Sequence, residues 1–101
     1  MSVSGGIYRD EIPMQDVESI SLEPVLPAVL GRVNAFAFGN SLRGYVLLHD
    51  NGEAHLFVER ESPPYVKVRT TKNVVWINFK DPKRTRDLYA TLSSTGHVRV
   101  D

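Results

Sequence analysis

Two histidines, His49 and His55, lie close together in the sequence and belong to a residue type that binds transition metals. They flank Asn51-Gly52, a dipeptide typical of a type I′ hairpin turn. A hairpin closed by these two loop residues places the two imidazoles on opposite faces of its ribbon, because successive side chains alternate along a strand. The sequence therefore predicts surface or rim histidines and no metal site.

Basic side chains could hold a phosphate or a lipid headgroup at two places. The first group is Lys67, Arg69 and Lys72, and the second is Lys80, Lys83, Arg84 and Arg86. Asp81 and Asp87 are interleaved with the second group, so a solvated helix face is the better interpretation of it. An alternative hypothesis keeps a ligand-binding role for Lys67, Arg69, Lys72, Lys80, Lys83 and Arg84.

Catalytic residue patterns are weak throughout the chain. Ser41 follows a turn signal but lacks the surrounding pattern of a nucleophile elbow. The chain contains no cysteine, which excludes thiolate zinc sites and cysteine nucleophiles. The aromatic residues Trp76, Phe57 and Phe38 could stack on a ligand, but in a small domain such residues more often belong to the core or its rim. We predict a protein that is not an enzyme and that uses no metal or cofactor.

The length and charge of the chain limit its organisation and its partners. Its 101 residues fit one domain, which we place at residues 7–96, between a flexible N-terminal tail at 1–6 and a C-terminal tail at 97–101. Twelve basic residues balance twelve acidic ones, so no overall field draws the chain to nucleic acid or to an anionic membrane. The apolar stretches are too short for a membrane-spanning helix, and the first residues lack the pattern of a signal peptide.

Period-two alternation runs from about Val17 to Phe79 and predicts about seven short strands. One such stretch places Phe36 and Phe38 on the same face of a strand. The hairpin turn predicts pairing of Leu47 with Leu56 and of Tyr45 with Val58, with these four apolar side chains on the buried face. Farther along, Val66 and Val68 face one way and Lys67 and Arg69 the other, a pattern typical of a half-exposed strand.

A helix at about 82–93 follows the strands. Asp81 can cap its first free amides, and Pro82 suits the first helical position, where its missing N–H costs nothing. Four residues at helical spacing then share one face: Thr85, Leu88, Tyr89 and Leu92. This pattern predicts a helix with one buried stripe.

The order of these segments resembles the bacterial pleckstrin-homology-like (PH-like) domains. The resembling segments are Ile12-Pro13-Met14-Gln15-Asp16-Val17-Glu18-Ser19-Ile20, Arg32-Val33-Asn34-Ala35, Leu42-Arg43-Gly44-Tyr45, Pro63-Pro64-Tyr65-Val66-Lys67-Val68-Arg69-Thr70 and Asn78-Phe79-Lys80-Asp81-Pro82. Ala35 departs from the family, which often has glycine there. The resemblance implies a mainly β fold, a barrel of two near-orthogonal antiparallel sheets plugged by the C-terminal helix.

The resemblance also implies a function class rather than a reaction. In this family the domain often follows transmembrane helices, and its biochemical role is mostly unassigned. We expect a non-catalytic interaction module that binds protein, either itself or another partner, through a sheet edge or a loop. The alternative is a peripheral membrane or anionic-ligand domain that uses the basic residues above. The expected location is the cytoplasm, including the inner face of the cell membrane, and no nucleic-acid partner is expected.

Overall fold

The computed structural model describes residues 2–5, 8–11, 14–49, 52–94 and 99–100, with side chains described within 15–49 and 52–94. Its elements are β1 (Ser2–Gly5), β2 (Tyr8–Glu11), a 3-10 helix (Met14–Asp16), β3 (Val17–Glu23), β4 (Val29–Phe38), β5 (Ser41–Leu48), β6 (Gly52–Glu59), β7 (Tyr65–Thr70), β8 (Val74–Ile77), α1 (Pro82–Ser93) and β9 (Arg99–Val100). The protein is thus mainly β with one C-terminal helix, as predicted. Within the two predicted tails, residues 2–5 form β1 and residues 99–100 form β9, while residues 1, 6, 97, 98 and 101 lie outside the described residues.

The strands form a two-stranded ribbon, β1-β2, and a larger sheet in the order β4-β5-β6-β8-β7-β3-β9. Strand β8 lies between β6 and β7, antiparallel to β7 and parallel to β6. The prediction of antiparallel sheets is therefore wrong at this pair, and β9 also pairs parallel to β3. The connection at 60–64 leaves room for one strand beside β6, and β7 lies beyond that space, antiparallel to β6. Strand β8 then fills the space antiparallel to β7, so it runs in the same direction as β6.

Paired residues in this sheet define its two faces, because residues directly opposite each other point to the same side. One row crosses six strands through Phe36, Arg43, Phe57, Ile77, Val66 and Leu22. We call the side that carries this row the helix face, because α1 packs on it. The parallel row on the other side, the opposite face, runs through Ala35, Gly44, Leu56, Trp76, Lys67 and Ser21.

Both faces of the sheet carry a hydrophobic core. The core of the helix face consists of Val17, Ile20, Phe57, Val66, Val68, Val75, Ile77 and Leu92, with Leu22, Leu88 and Tyr89 packed against it. The core of the opposite face consists of Leu42, Val46, Leu48, Ala54, Leu56, Val58, Tyr65 and Trp76, flanked by Leu26, Val29, Ala35, Ala37 and Val74. The second half of β6 and most of β8 are buried from both sides, which explains the continuous apolar runs Leu56-Phe57-Val58 and Val74–Ile77.

The helix begins as the sequence predicts. Asp81 is its N-cap, and the Asp81 carboxylate accepts a hydrogen bond of 3.0 Å from the backbone N–H of Lys83. Thr85 is fully buried, and its hydroxyl accepts the N–H of Phe79 at 2.9 Å, which ties the first turn to the end of the sheet. Leu92 is also buried, so the predicted apolar stripe is the docked face of the helix.

The β5–β6 hairpin differs from its predicted register. Leu48 pairs with Gly52, which gives a loop of three residues instead of two, and Tyr45 pairs with His55 instead of Val58. The observed pairing of β5 with β6 is shifted from the predicted one by an odd number of residues, so each β5 side chain lies on the face opposite to the predicted one. Val46 and Leu48 are buried in place of Tyr45 and Leu47. Gly52 has a φ of 69°, a backbone angle that favours glycine.

Candidate interaction surface

Strand β4 ends the larger sheet and exposes apolar side chains. Among the described residues it pairs with β5 alone. Ala35 and Ala37 turn inward and pack against the core of the opposite face, whereas Phe36 and Phe38 are 57% and 77% exposed. The prediction that both phenylalanines share one face is confirmed, but that face is open to solvent at this end of the sheet.

Four further exposed apolar side chains are described, three of them near this strand: Leu30 and Val33 within β4 and Leu47 on β5. Together with Phe36 and Phe38 they form what we call the β4 surface. Exposed apolar side chains concentrated on and beside one edge strand are typical of a site of interaction. The fourth is Val25, which lies before β4.

The exposure of Phe36 and Phe38 follows from where the helix docks. The row that includes Phe36 is buried at Phe57, Ile77 and Val66, in the middle of the sheet. Helix α1 contacts β3 and β7, at the other side of the sheet from β4. The same face is therefore covered at one end and uncovered at the other.

The edge of β4 is regular only in its second half. Register shifts occur between Val29 and Gly31 and again between Arg32 and Asn34. Such bulges bend a strand and interrupt its pairing, and proteins use them to blunt exposed edges. From Asn34 to Phe38 the pairing with β5 is uninterrupted. This segment contains no charged residue and no proline, the residues that most often protect an edge.

A polar cluster lies beside the two phenylalanines on the helix face. The Ser41 hydroxyl donates to the Glu59 carboxylate, whose two oxygens lie 2.7 and 2.8 Å from the Ser41 oxygen. The Arg43 guanidinium donates to the carbonyl of Val58 at 2.7 Å and lies 3.5 Å from a Glu59 carboxylate oxygen. Ser41 is therefore bound to a carboxylate with no histidine in the cluster, an arrangement that does not activate a serine nucleophile.

Glu59 is held from its other side by Asn78. The Asn78 side-chain oxygen accepts the N–H of Glu59 at 2.6 Å, and its amide nitrogen donates to the carbonyls of Glu59 and Ser62 at 3.0 and 2.8 Å. Asn78 is buried, and it extends the β6–β8 pairing beyond the last paired residues, Phe57 and Ile77. The sequence predicts no role for Asn78, because the alternating pattern places it inside the last strand, between the apolar residues Ile77 and Phe79.

The structure separates the predicted basic residues into two groups. Lys67 and Arg69 lie on the opposite face of β7, and Lys72 follows in the turn before β8. Arg69, Thr71 and Lys72 line a groove of about 360 Å³ that also contains the carboxylate-bearing residue Glu18. Lys67 is half-buried, with its ammonium 5.5 Å from the centre of the Trp76 ring.

The second basic group belongs to the helix side of the sheet. Lys80 and Lys83 are exposed around the start of α1, and the Arg84 guanidinium lies 4.5 Å from the centre of the Phe79 ring. Because α1 packs on the helix face while Lys67 and Arg69 lie on the opposite face, the two groups cannot contact one headgroup together. Each would have to bind an anion separately.

The two histidines lie in different environments. His49 is exposed, and His55 is fully buried, so the prediction of a surface or rim position is wrong for His55. Its ring stacks on Tyr45 with centroids 4.1 Å apart and lies 4.4 Å from Phe57. The register slip explains the error, since it moves Tyr45 to the strand position opposite His55. No cluster of three histidine or carboxylate side chains suitable for a metal occurs within the described part of the chain.

An apolar groove of about 560 Å³ lies at the entry to β4. Its lining residues are Pro24, Val25, Leu26, Pro27, Val29, Arg60, Pro63 and Tyr65. The Arg60 guanidinium is held by the carbonyl of Gly39 at 2.7 Å, and the Tyr65 hydroxyl donates to the Arg60 carbonyl. Burial, followed by the nearby Glu61 carboxylate, raises the pKa of Tyr65 above its usual value. The groove thus carries a neutral tyrosine and an engaged arginine.

No family model matches the chain, and neither a curated protein nor a solved structure matches it significantly. Among the described residues, α1 is the longest helix, and no helix there has the length and apolar character needed to cross a membrane.

Proposed function

We propose that this protein is a non-catalytic interaction module of the PH-like type that binds an extended polypeptide segment along β4. The observation that carries the proposal is the β4 surface, where two phenylalanines and three aliphatic side chains are exposed beside an edge strand. A strand added to such an edge gains backbone hydrogen bonds, and its alternate side chains can cover the exposed aromatic rings.

The PH-like assignment rests on the ordered resemblance of the sequence and on a general feature of the fold. A C-terminal helix packs on one face of a sheet whose other face holds a second core. A barrel carries its core on its inner face, so the second core is a departure from the resemblance, and the two near-orthogonal layers of a PH-like barrel stay a proposal. The parallel pairing of β6 with β8 is a departure from a purely antiparallel version of that barrel.

The docking proposal is tested by photo-crosslinking in cells that produce the protein. A photoreactive phenylalanine analogue replaces Phe38 in one variant and Val25 in a matched variant, because Val25 is also strongly exposed but lies outside β4. We expect polypeptide adducts from position 38 and not from position 25. Equal adducts at both positions, or none at position 38, would contradict the proposal.

A second candidate function is the binding of an anionic ligand, favoured by the shared groove of Arg69 and Lys72. Co-sedimentation with anionic vesicles at low salt tests it. Double charge reversals, Arg69→Glu with Lys72→Glu and Lys83→Glu with Arg84→Glu, distinguish the two faces of the sheet. An absence of binding by the wild-type chain at low salt would reject this function.

A further inference from the structure

The turn after β4 determines which backbone groups of its regular half face the open edge of the sheet. A two-residue loop, Gly39-Asn40, joins Phe38 to Ser41, and Gly39 has the positive φ, 58°, that a type II′ turn needs at its first loop position. The residues that flank such a turn are hydrogen-bonded to each other, and the bonded pairs then alternate along the hairpin. Phe38 and Phe36 therefore direct their backbone groups towards β5, while Ala37 and Ala35 direct theirs towards the open edge.

We propose that the segment bound along β4 is the β4 of a second copy of this chain, paired antiparallel about a twofold axis at Phe36. This inference rests on the proposed docking function and names its partner. In this register each Ala35 lies opposite the other copy's Ala37, so both outward-facing residues of each copy find a backbone partner. Twofold axes centred on Ala35 or on Ala37 would carry the pairing into the bulge or into the turn.

The side chains support the same register. Phe36 lies directly opposite its counterpart, in a pair without backbone hydrogen bonds, where side chains approach most closely and where aromatic pairs are favourable. Phe38 lies opposite Asn34 of the other copy on the same face. The phenylalanines of the two copies then contact one another along one face of the joined sheet, which removes part of their exposed surface from water.

Charge favours a second copy as the occupant. Arg32 is the only charged residue in β4, and it lies outside the segment from Asn34 to Phe38. The chain has twelve basic and twelve acidic residues and a formal net charge of zero at pH 7, so two copies approach without net repulsion. A nucleic acid or an anionic membrane would gain nothing from this uncharged strand.

The exposed area of Phe36 and Phe38 indicates how tightly two copies would associate. Taking roughly 200 Å² for a fully exposed phenylalanine, Phe36 and Phe38 leave about 270 Å² of aromatic surface in water on each copy. Two copies would bury at most about 540 Å² from these rings, against roughly 1,200–2,000 Å² for a standard interface. With the backbone edge and the aliphatic residues added, this predicts a weak dimer that depends on concentration.

The absence of cysteine from the chain allows a direct test of the register. In the proposed dimer the two Phe36 positions lie about 4.5 Å apart between Cα atoms, which is within the roughly 4.4–6.8 Å that a disulfide spans. The two Phe38 positions are offset by four residues, roughly 13 Å along the strand. We expect Phe36→Cys to form a disulfide-linked dimer under mild oxidation, and Phe38→Cys, its matched control, to stay monomeric.

Sedimentation equilibrium of the full chain, up to millimolar concentration, measures the association without crosslinking. We expect the mass to rise from 11.3 kDa towards twice that value, with association weakened about tenfold or more by Phe36→Ser. Val25→Ser should leave the association unchanged, and circular dichroism should show both variants folded, since both side chains are mostly exposed.

The outcomes separate this inference from the docking function on which it rests. A wild-type chain that stays monomeric at every concentration, or a disulfide at position 38 and not at position 36, would overturn the pairing of two copies. If the chain is monomeric but photo-crosslinking at position 38 still gives adducts with other polypeptides, the docking function stands and its partner is a different protein. If both measurements are negative, both proposals fall.

Discussion

The substitution Asn78→Ala tests whether one buried side chain holds the end of the sheet. Asn78 makes three hydrogen bonds to backbone groups of two residues, Glu59 and Ser62. Alanine would remove all three without filling the space. The N–H and C=O of Glu59, a buried residue, would then lose the partners that the asparagine supplies.

The size of the effect follows from the groups left behind. A buried donor or acceptor that loses its partner costs about 1–3 kcal/mol, so loss of the Asn78 acceptor from the Glu59 N–H predicts about 1–3 kcal/mol. The Glu59 and Ser62 carbonyls add less, because the Ser62 N–H still donates to the Glu59 carbonyl at 3.2 Å and Ser62 itself is half-buried. A domain of this size has a free energy of unfolding of about 5–15 kcal/mol, so the variant should be clearly less stable but still folded.

Urea denaturation followed by tryptophan fluorescence measures the loss, since Trp76 is buried in the core of the opposite face. Asn40→Ala is the matched control, because Asn40 is exposed and its side-chain amide donates to the Glu61 carboxylate, also exposed, at 3.2 Å. We expect the control to cost less than about 0.5 kcal/mol. Amide hydrogen exchange adds a local measurement, in which the Glu59 N–H should exchange faster in the Asn78 variant. Equal stability losses for the two variants would refute this account of Asn78.

Three further predictions concern the helix and one buried tyrosine. Leu92→Ala should lower the free energy of unfolding by about 2–5 kcal/mol in urea denaturation, because Leu92 packs in the core of the helix face; a cost near zero would mean that the helix is not docked. Asp81→Ala should cost about 0.5–2 kcal/mol through loss of the cap, whereas Asp87→Ala should cost less. The pKa of Tyr65 is raised in the folded protein, so its contribution to stability is complete below the unfolded-state pKa of about 10 and is lost as the pH rises further. Tyr65→Phe should make alkaline unfolding less steep, and an unchanged pH profile would contradict this.

The helix could be predicted from the sequence because its signals are local. Asp81, Pro82 and the spacing of Thr85 and Leu92 are read within one segment, and the structure bears out both the bounds and the buried stripe. The β5–β6 register could not be predicted in the same way. It depends on whether the loop holds two residues or three, and one wrong choice changed the face of Tyr45 and the burial of His55.

The basic residues illustrate a second limit of sequence reasoning. Alternation correctly set Lys67 and Arg69 on the face of β7 away from Val66 and Val68. The sequence could not show that these two residues and the basic residues of α1 lie on different faces of the sheet. That separation depends on which face the helix covers, a property of tertiary packing that no local pattern records.

The exposure of Phe36 and Phe38 is also a tertiary property, and it bears directly on the proposed dimer. In an edge-to-edge dimer the rings meet side by side on one face of the joined sheet, so only part of their exposed surface leaves water. Association also costs about 4–15 kcal/mol in lost translational and rotational freedom. The backbone hydrogen bonds across the edge must therefore contribute alongside the rings. The pairing of Ala35 with Ala37 is therefore as necessary to the dimer as the rings. The substitution Ala37→Pro removes one outward-facing N–H donor and should abolish association even with both phenylalanines intact.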